Sequence, residues 1–243
     1  MSKTFSKGVL TLLQDAIDTA TMLKIERMVI DSHSLRGESQ ENGTFMLLPF
    51  PADTELEFGA MGISRIDVLN ARMKLVGADG TVTPDYKVRD SGDKFVFRLQ
   101  LKKGKTTIDF KCADPSQIRA PKGFNDAESF GFKFTAADIA LMLRGKAAMQ
   151  ADKVTFQSKD GQTVNYTISA SEGDALVHQL DSELDIKTQT ETFAASYSTK
   201  ILFPVLKEIS DAAKEADVEV VLTKRGILKI EVNGIPSYVF PEV

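Results

Sequence analysis

The chain contains no tryptophan, a single cysteine and two histidines among its 243 residues. Cys112 has no second cysteine to pair with inside the chain, which favours a reducing, intracellular setting. His33 and His178 lie far apart in the sequence, and neither has another histidine or cysteine close by with which to ligate a metal. We therefore expect neither a metal site nor a cofactor.

The sequence also lacks the motifs of common catalytic and nucleotide-binding sites. The patterns G-x-x-x-x-G-K-[ST], G-x-G-x-x-G and G-x-S-x-G are all absent. No apolar run approaches the roughly 20 residues of a membrane span, and the N-terminus has no apolar signal segment. These absences indicate a binding or scaffold protein without membrane contact. An enzyme with a carboxylate site that the spacing does not reveal stays an alternative.

What is present is enough apolar sequence for substantial cores, together with a nearly balanced charge. Hydrophobic residues make up 42% of the chain, and the formal net charge is -4. This negative excess argues against bulk attraction to nucleic acid. It does not exclude a local basic surface, because binding follows the distribution of charge and not only its sum.

The strongest internal signal is a repeat that divides the chain into two halves. The stretch TFSKGVLTLL (Thr4–Leu13) aligns with KFTAADIALM (Lys133–Met142), so that Phe5 matches Phe134. Each stretch has a Ser or Thr in N-cap position before a helical apolar pattern. Beyond the second stretch Lys146 would fall on the wrong side of a straight helix, which predicts a helix end near Gly145.

Each half continues with alternating segments and one more helix. The later helices are predicted over about 63–75 and about 196–213. Strands are predicted for KFVFRLQL (94–101), KVTFQS (153–158), TVNYTIS (163–169) and ILKIEV (227–232), with turn signals between them. Each half is therefore strand-rich with two helices, which is typical of an α+β duplication. We place the two domains at 1–110 and 132–243.

The halves are joined by the irregular stretch KCADPSQIRAP, Lys111–Pro121. Pro115 and Pro121 each remove a backbone donor and restrict φ, so no helix or central strand runs through this stretch. The irregular sequence continues to about Gly131, and we interpret 111–131 as an inter-domain connector.

Basic residues recur on the predicted helices. Lys200, Lys207 and Lys214 are seven residues apart and form a narrow stripe opposite an apolar face. The other helices carry sparser cations: Lys7, Arg65, Arg72 and Arg144. Lysines opposite a core are usually only a solvated face. Their recurrence on four equivalently placed helices suits sequence-independent contact with phosphates.

Four stretches, taken in order, resemble a known family: Phe5–Lys24, Ala113–Pro121, Phe134–Leu143 and the C-terminal VNGIPSYVFPEV. With the duplication, they resemble the DNA polymerase sliding clamps of tailed phages, which are related in fold to proliferating cell nuclear antigen. The insertion-like SLRGESQENG (34–43) departs from the family pattern and predicts a longer loop.

The resemblance implies two duplicated clamp domains, each with antiparallel sheets on the outside and two helices on the inside, assembling head to tail into a homotrimeric ring. Such a ring encircles duplex DNA and tethers the replicative polymerase, with the polymerase and a clamp loader as protein partners. It implies no catalytic residues and a location in the cytoplasm of an infected bacterial host cell. The DNA-facing residues would be Lys7, Arg65, Arg72, Arg144, Lys200, Lys207 and Lys214.

The resemblance also implies a pocket for partner peptides beneath the connector. Ile118 and Pro121 would border it, and Tyr238, Phe240 and Pro241 would lie near its floor. Strand alternation equally allows Tyr238 and Phe240 to be ordinary residues of the last strand's core face.

Subunits of such a ring would join through edge strands, one from each half. The candidate strands are 82–88 and 171–180, and the candidate interface residues are Val82, Tyr86, Val88, Leu176 and Val177. Pro84 puts continuous pairing of the first strand in doubt, although proline is tolerated at an edge. The contact would be heterologous and would close into a ring.

A second class of function stays open on the sequence alone. The same duplicated halves could build an oligomeric structural or assembly protein of a virion. Such a protein would not slide on DNA or stimulate a polymerase, and its helix lysines would only be solvated.

Overall fold

The structure is a computed structural model that describes residues 4–39, 43–50, 59–77, 79–120, 126–159, 163–170, 172–180, 185–186, 192–213, 218–232 and 234–242. The chain divides into two compact units, one of residues 1–124 with 233–235 and the other of residues 125–232 with 236–243. Each unit contains two helices and a set of mainly antiparallel strands, so the predicted α+β duplication is confirmed. The domain limits at 110 and 132 stay predictions. None of the described helices is long and apolar enough to cross a membrane.

The described residues of the first unit form two helices and seven strands. They are α1 (Lys7–Met22), β1 (Arg27–Ile30), β2 (Ser34–Glu38), β3 (Thr44–Pro49), β4 (Ala60–Ile63), α2 (Ile66–Val76), β5 (Thr81–Val88), β6 (Lys94–Lys103) and β7 (Thr106–Lys111). The strand order is β3-β2-β1-β4-β6-β5, and β7 pairs with β6 on the side away from β5. The β4–β6 pair is parallel, and the other pairs are antiparallel. A 3-10 helix, Pro115–Gln117, follows β7.

The second unit also combines two helices with strands, nine of which lie in its described part. They are β8 (Glu128–Phe134), α3 (Ala136–Met149), β9 (Lys153–Ser158), β10 (Asn165–Ser169), β11 (Ala175–Gln179), β12 (Asp185–Ile186), β13 (Phe193–Ser198), α4 (Thr199–Ala213), β14 (Val218–Thr223), β15 (Leu228–Val232) and β16 (Ile235–Val239). One set of strands runs β12-β8-β14-β15-β16, and a separate four-stranded sheet runs β11-β10-β9-β13.

The repeated helices α1 and α3 begin where their caps predict. Ser6 Oγ accepts a long hydrogen bond, 3.4 Å, from Val9 N at the start of α1. Thr135 forms a full capping box at α3, because its Oγ1 accepts from Asp138 N (3.1 Å) while Asp138 Oδ2 accepts from Thr135 N (2.8 Å). The stronger cap therefore belongs to the second unit.

Three local predictions about the helices are wrong in detail. The second helix of each unit starts three residues later than expected, because Ile63 and Ser196 lie in strands β4 and β13. Helix α3 continues past Gly145 to Met149. It can do so because Gly145 faces the sheet and Lys146 runs half-buried, with its Nζ 5.8 Å from the centre of the Phe203 ring.

The prediction of a long loop over 34–43 is also wrong for the first half of that range. Ser34–Glu38 form β2, which pairs with β3 as a hairpin. The Asp31 carboxylate accepts hydrogen bonds from the backbone N–H groups of His33 and Ser34 and forms an ion pair with Arg36. These contacts hold the chain at the entry to β2. Residues 40–42 lie outside the described part of the chain.

The two units fill their cores with different side chains. The first unit buries aliphatic and thioether side chains completely, including Ile17, Met28 and Met61. In the second unit Phe156 lies at the centre of an aromatic cluster. Its ring centroid lies 5.6–6.4 Å from those of Phe132, Phe134, Tyr166 and Tyr197. Aromatic pairs at such distances contribute beyond the area that they bury.

Candidate nucleic-acid interface

In the first unit α1 and α2 pack side by side and present polar faces to solvent. Asn70 Nδ2 on α2 donates to Thr21 Oγ1 on α1 over 3.1 Å, which links the two helices. Lys7 is exposed at the start of α1, as predicted for a solvent-facing cation. It lines, together with the exposed Lys74 of α2, a groove of about 480 Å³ whose floor includes Leu10 and Met73. The sequence interpretation did not include Lys74, although it lies two residues after Arg72 on the same helix.

Arg65 and Arg72 are engaged with their own unit. Arg65 Nη2 donates to the backbone oxygen of Lys111 (3.2 Å), and Arg72 Nη1 donates to that of Asp109 (2.8 Å). Both guanidinium groups also lie over the ring of the buried Phe110. Each still has donors left for a phosphate, because a guanidinium carries five N–H groups.

In the second unit α3 presents one cation on a face of small residues. Arg144 is exposed, and the other exposed positions of α3 are alanines: Ala136, Ala137, Ala140, Ala147 and Ala148. Within the described part of the chain Arg144 has no carboxylate within ion-pair distance. Small neighbours leave its guanidinium accessible to a large polyanion from many directions.

The two described lysines of the α4 stripe form exposed ion pairs. Lys200 Nζ lies 2.9 Å from Asp152 Oδ1, and Lys207 Nζ lies 2.5 Å from Asp211 Oδ2. The hydrogen bond from Lys200 lowers the pKa of Asp152, and the hydrogen bond to Asp211 raises the pKa of Lys207. Pairs this exposed are weak and exchange readily for other anions. Lys214 lies outside the described residues.

The four helices therefore carry accessible cations, but only a few on each helix. The arrangement offers point contacts for phosphates and, at the predicted positions, no aromatic platform for stacked bases. Among the described residues no cluster of His, Cys, Asp and Glu could hold a metal ion. Contacts of this kind with phosphates are sequence-independent and depend on salt concentration.

The connector begins as an anchored turn. The Asp114 carboxylate accepts from Ser116 N (2.9 Å) and Ser116 Oγ (2.8 Å), and it forms an ion pair with Arg89. These interactions, led by the hydrogen bond from Arg89, lower the pKa of Asp114. Ile118 is buried against β4, where a β-carbon on Gly62 would lie only 2.9 Å from the Cδ1 of Ile118. Ile118 therefore holds the connector down on the first unit. Pro121 lies outside the described residues.

The C-terminal candidates of the partner pocket divide into buried and accessible ones. Tyr238 is buried in β16, whereas Phe240 is 40% exposed. Pro241 lines a cavity of about 660 Å³ in the second unit, together with Phe130, Phe193 and Gly226. The C-terminal segment is held there by a hydrogen bond from Glu242 N to Ser196 O (2.7 Å).

The predicted interface strands lie at the ends of their sheets. β5 pairs with β6, and near its start Val82 O also accepts from Phe5 N over 2.8 Å. Pro84 sits in this strand one residue before a register irregularity at Asp85. β11 ends the four-stranded sheet. The side chains of Val88 and Val177 are 68% and 62% exposed, which is unusual for large apolar residues.

The remaining interface candidates are less accessible. Val82 is buried, and Tyr86 and Leu176 are partly exposed. Leu176 points toward α3, since its Cδ1 would lie 3.2 Å from a β-carbon on Gly145. In β11 the adjacent Leu176 and Val177 point to opposite faces, whereas the three candidates of β5 are spaced by even numbers of residues and share a face whose exposure rises from Val82 to Val88.

No family model matches the chain, and no curated protein sequence matches it. Solved structures, in contrast, match the chain in fold. The proliferating cell nuclear antigen of A. fulgidus, in a structure with the C-terminal region of FEN-1 bound, superposes with a TM-score of 0.63 at 17% identity, over 96% of each chain. The proliferating cellular nuclear antigen of Entamoeba histolytica gives 0.59 at 15% identity, over 100% of this chain and 97% of that one. The chain therefore has the two-unit α+β fold of the sliding clamps of the proliferating cell nuclear antigen type.

Proposed function

We propose that this protein is a DNA sliding clamp, a homotrimeric ring that encircles duplex DNA and tethers a replicative polymerase. The observation that carries the proposal is the clamp fold over the whole chain, combined with accessible cations on a helix pair in each unit. A clamp needs no catalytic residue and no cofactor, because topological linkage holds it on DNA while weak phosphate contacts let it slide. A tailed-phage origin and a site of action in the host cytoplasm belong to the same proposal.

The proposal predicts retention on DNA that depends on topology. The assembled protein, loaded or trapped on nicked circular DNA, should stay bound in moderate salt and should be released once the circle is cut to a linear form. Native mass measured in parallel should correspond to three copies. A single copy at about 10 µM would contradict a stable ring, whereas a stable assembly that ignores DNA topology would favour the virion structural protein instead.

The helix cations provide the matching mutational test. Lys200→Glu together with Lys207→Glu should weaken DNA retention and leave the native mass unchanged, because both side chains are exposed and bonded only to surface carboxylates. Lys159→Glu is the matched control, since Lys159 is an exposed lysine at the end of β9 rather than on a helix. Because the control changes the net charge by half as much as the double variant, an effect about half as large would show that only net charge matters.

The subunit contact is proposed at the edge strands named by the sequence. Val177→Lys would place a charge on the outward face of β11 and should lower the fraction of trimer at a given concentration. Val154→Ala serves as a folding comparison, because Val154 is fully buried in the same sheet. An unchanged mass for Val177→Lys would exclude this face of β11 from the interface.

Partner binding is proposed near the connector and the C-terminal residues, with Ile118, Pro121, Tyr238, Phe240 and Pro241 as the candidate set. The accessible members, Phe240 and Pro241, are the ones to test. Phe240→Ala should shorten the products made by a tailed-phage polymerase in primer extension and should not change the native mass. Full-length products from the variant would remove Phe240 from the proposed site.

A further inference from the structure

The groove at one end of the helix pair in the first unit combines an apolar floor with a basic rim. It has a volume of about 480 Å³ and lies between the start of α1 and the end of α2. Its floor includes Leu10 of α1 and Met73 of α2, which are both half-buried. The buried side chains of Val82 and Leu101, from β5 and β6, also line it. Apolar surface can therefore be reached from solvent at this end of the helices.

Two glycines border the groove where α2 ends. Gly77 has a φ of 67°, a conformation that favours glycine, and Gly80 follows in the turn to β5. A β-carbon on Gly80 would lie only 1.9 Å from Cγ1 of Val76, so a larger residue does not fit there. This border of the groove is therefore made by backbone, with no side chain of Gly77 or Gly80 to fill it.

Lysines surround the groove. The exposed Lys7 and Lys74 line it. The Nζ of Lys103, at the end of β6, would lie 3.3 Å from a β-carbon on Gly77, which places a third ammonium group beside the groove. Within the described part of the chain none of these lysines has a carboxylate within ion-pair distance. Their charges are therefore accessible to an anionic ligand.

One carboxylate of the groove wall opposes this basic character without cancelling it. Asp15 lines the groove, and burial, together with the nearby charge of Asp18, raises the pKa of Asp15. An ammonium group close to a carboxylate has the opposite effect, because it favours the charged form. Asp15 is therefore not paired with the lysines of the rim. The exposed Lys102 and Lys105, at the end of β6 and in the turn after it, add to the positive charge of this region.

A ligand that fits this groove must offer apolar groups and negative charge together. Duplex DNA offers phosphates to the lysines, but its backbone has no apolar side chain that could cover the floor. An amphipathic helix, in contrast, lays its apolar face into a hydrophobic groove. Acidic residues on the flanks of such a helix would meet the lysines of the rim, and this complementarity would select the partner and its register.

We propose that this groove is a docking site for an acidic amphipathic helix of a partner protein, with apolar side chains against Leu10 and Met73 and carboxylates against Lys7 and Lys74. The site shares no residue with the partner pocket proposed near the connector and the C-terminal residues. It shares Lys7 with the proposed DNA surface, so a bound partner would cover a DNA contact of this unit. The assignment rests on the first unit alone and does not require that the protein slides on DNA.

The test uses the full chain and a fluorescent peptide probe made of glutamate and leucine. The probe is about 18 residues long, because shorter isolated helices are marginal in water. Its leucines recur at i, i+3, i+4 and i+7, so that they share one face of the helix. Fluorescence anisotropy should show saturable binding with a Kd below about 100 µM. Two companion probes, with lysine in place of glutamate or alanine in place of leucine, should each bind at least about tenfold more weakly.

A pair of charge reversals tests the rim. Lys7→Glu with Lys74→Glu should raise the Kd of the acidic leucine probe about tenfold, because attraction to its carboxylates becomes repulsion. Lys87→Glu with Lys159→Glu is the matched control. It changes the net charge by the same amount at two exposed lysines that do not line the groove, and it should leave the Kd within about twofold.

A second pair of substitutions tests the floor. Leu10→Gln with Met73→Gln should raise the Kd about tenfold, because amides replace the apolar groups that the leucines of the probe would cover. A circular dichroism melting curve checks that this variant folds. In the unchanged chain the methyl resonances of Leu10, Met73 and Val76 should shift when the probe is added. That measurement tests the floor even if the glutamine pair does not fold.

Several outcomes would overturn the docking site. They are the absence of saturation up to about 100 µM, equal binding of either companion probe, and an equal loss of affinity in the control pair. Displacement of the probe by an equal concentration of a short linear duplex would assign the groove to DNA. Dodecanoate that binds as tightly as the probe would assign it to a small amphiphile, and either result also overturns the proposal. Retention on circular DNA is measured separately, so a failure of the sliding-clamp function would be seen independently of this result.

Discussion

The two units share one plan of helices and strands, but they stabilise it by different means. In the first unit polar side chains fix the helix pair, through Asn70 to Thr21 and through Arg65 and Arg72 to β7. In the second unit the stabilising interactions are an aromatic cluster and a capping box, while Lys200 and Lys207 form only exposed ion pairs. Duplicated units can therefore keep a topology while replacing the interactions that hold it.

The largest expected effect tests the aromatic core of the second unit. Phe156→Ala should lower the free energy of unfolding by about 3–5 kcal/mol, because a fully buried ring is replaced by a cavity. Urea denaturation followed by circular dichroism measures the loss. Hydrogen exchange should show the increase in opening within 126–232 and little change in α1 and α2. Equal loosening of both units would mean that their cores are not independent.

The next effect is a pH dependence that belongs to the first unit. Burial raises the pKa of the Cys112 thiol to about 12. The unfolded thiol titrates near its ordinary value of roughly 8.5, so unfolding releases a proton above that pH. Stability is then complete below about pH 8.5 and falls as the pH rises toward about 12. At about pH 10 the loss should be about 2 kcal/mol.

Cys112→Ala isolates this contribution from that of other groups. The variant should lose less stability than the unchanged chain between about pH 7.5 and pH 10, measured as the difference between two urea titrations. The loss of stability that remains in the variant comes from buried tyrosines, since burial also raises the pKa of Tyr166 to about 12. Identical pH dependence in the two proteins would mean that Cys112 is accessible to water.

A smaller effect compares the two repeated helix starts directly. Thr135→Ala should cost about 1 kcal/mol, because it removes the Oγ1 that accepts from Asp138 N over 3.1 Å and donates to Asp138 Oδ2 over 2.7 Å. Ser6→Ala should cost only a few tenths of that, because the hydrogen bond at Ser6 is 3.4 Å long and has no reciprocal partner among the described residues. Thermal denaturation of both variants provides the comparison, and a reversed order would contradict it.

The smallest effect concerns the α4 stripe. Lys207→Gln should leave the melting temperature unchanged within error, because the pair with Asp211 is fully exposed and screened by salt. Arg72→Gln should lower it measurably, since Arg72 supports β7 and the Phe110 ring. Equal shifts in the two variants would remove the distinction between surface cations and anchored ones.

Much of the fold could be predicted because its signals are local. Helical periodicity with an N-cap residue identified α1 and α3, and alternation with turn residues identified β6, β9, β10 and β15 to within two residues at each end. Both proposed edge strands, 82–88 and 171–180, overlap strands at the ends of their sheets. These features depend on neighbours a few residues apart, which a single sequence displays.

The details that sequence reasoning missed depend on distant residues. Nothing near Arg65 or Arg72 indicates that their acceptors lie about 40 residues later, on β7. The burial of Ile118 depends on Gly62, whose missing side chain leaves room for the connector to approach β4. Helix periodicity placed the arginines on an accessible flank, and strand pairing then brought backbone oxygens within their reach.

By itself the sequence determined the duplication, the strand-rich α+β class and the positions at which cations recur. It could do so because periodicity, capping and turn chemistry depend on residues that are close together in the sequence. Only the tertiary structure decided which of those cations are available. Lys7 and Arg144 extend into solvent, whereas Arg65 and Arg72 are bound to β7. The physical reason is that a side chain's partner is set by which distant backbone groups the fold brings within hydrogen-bond reach.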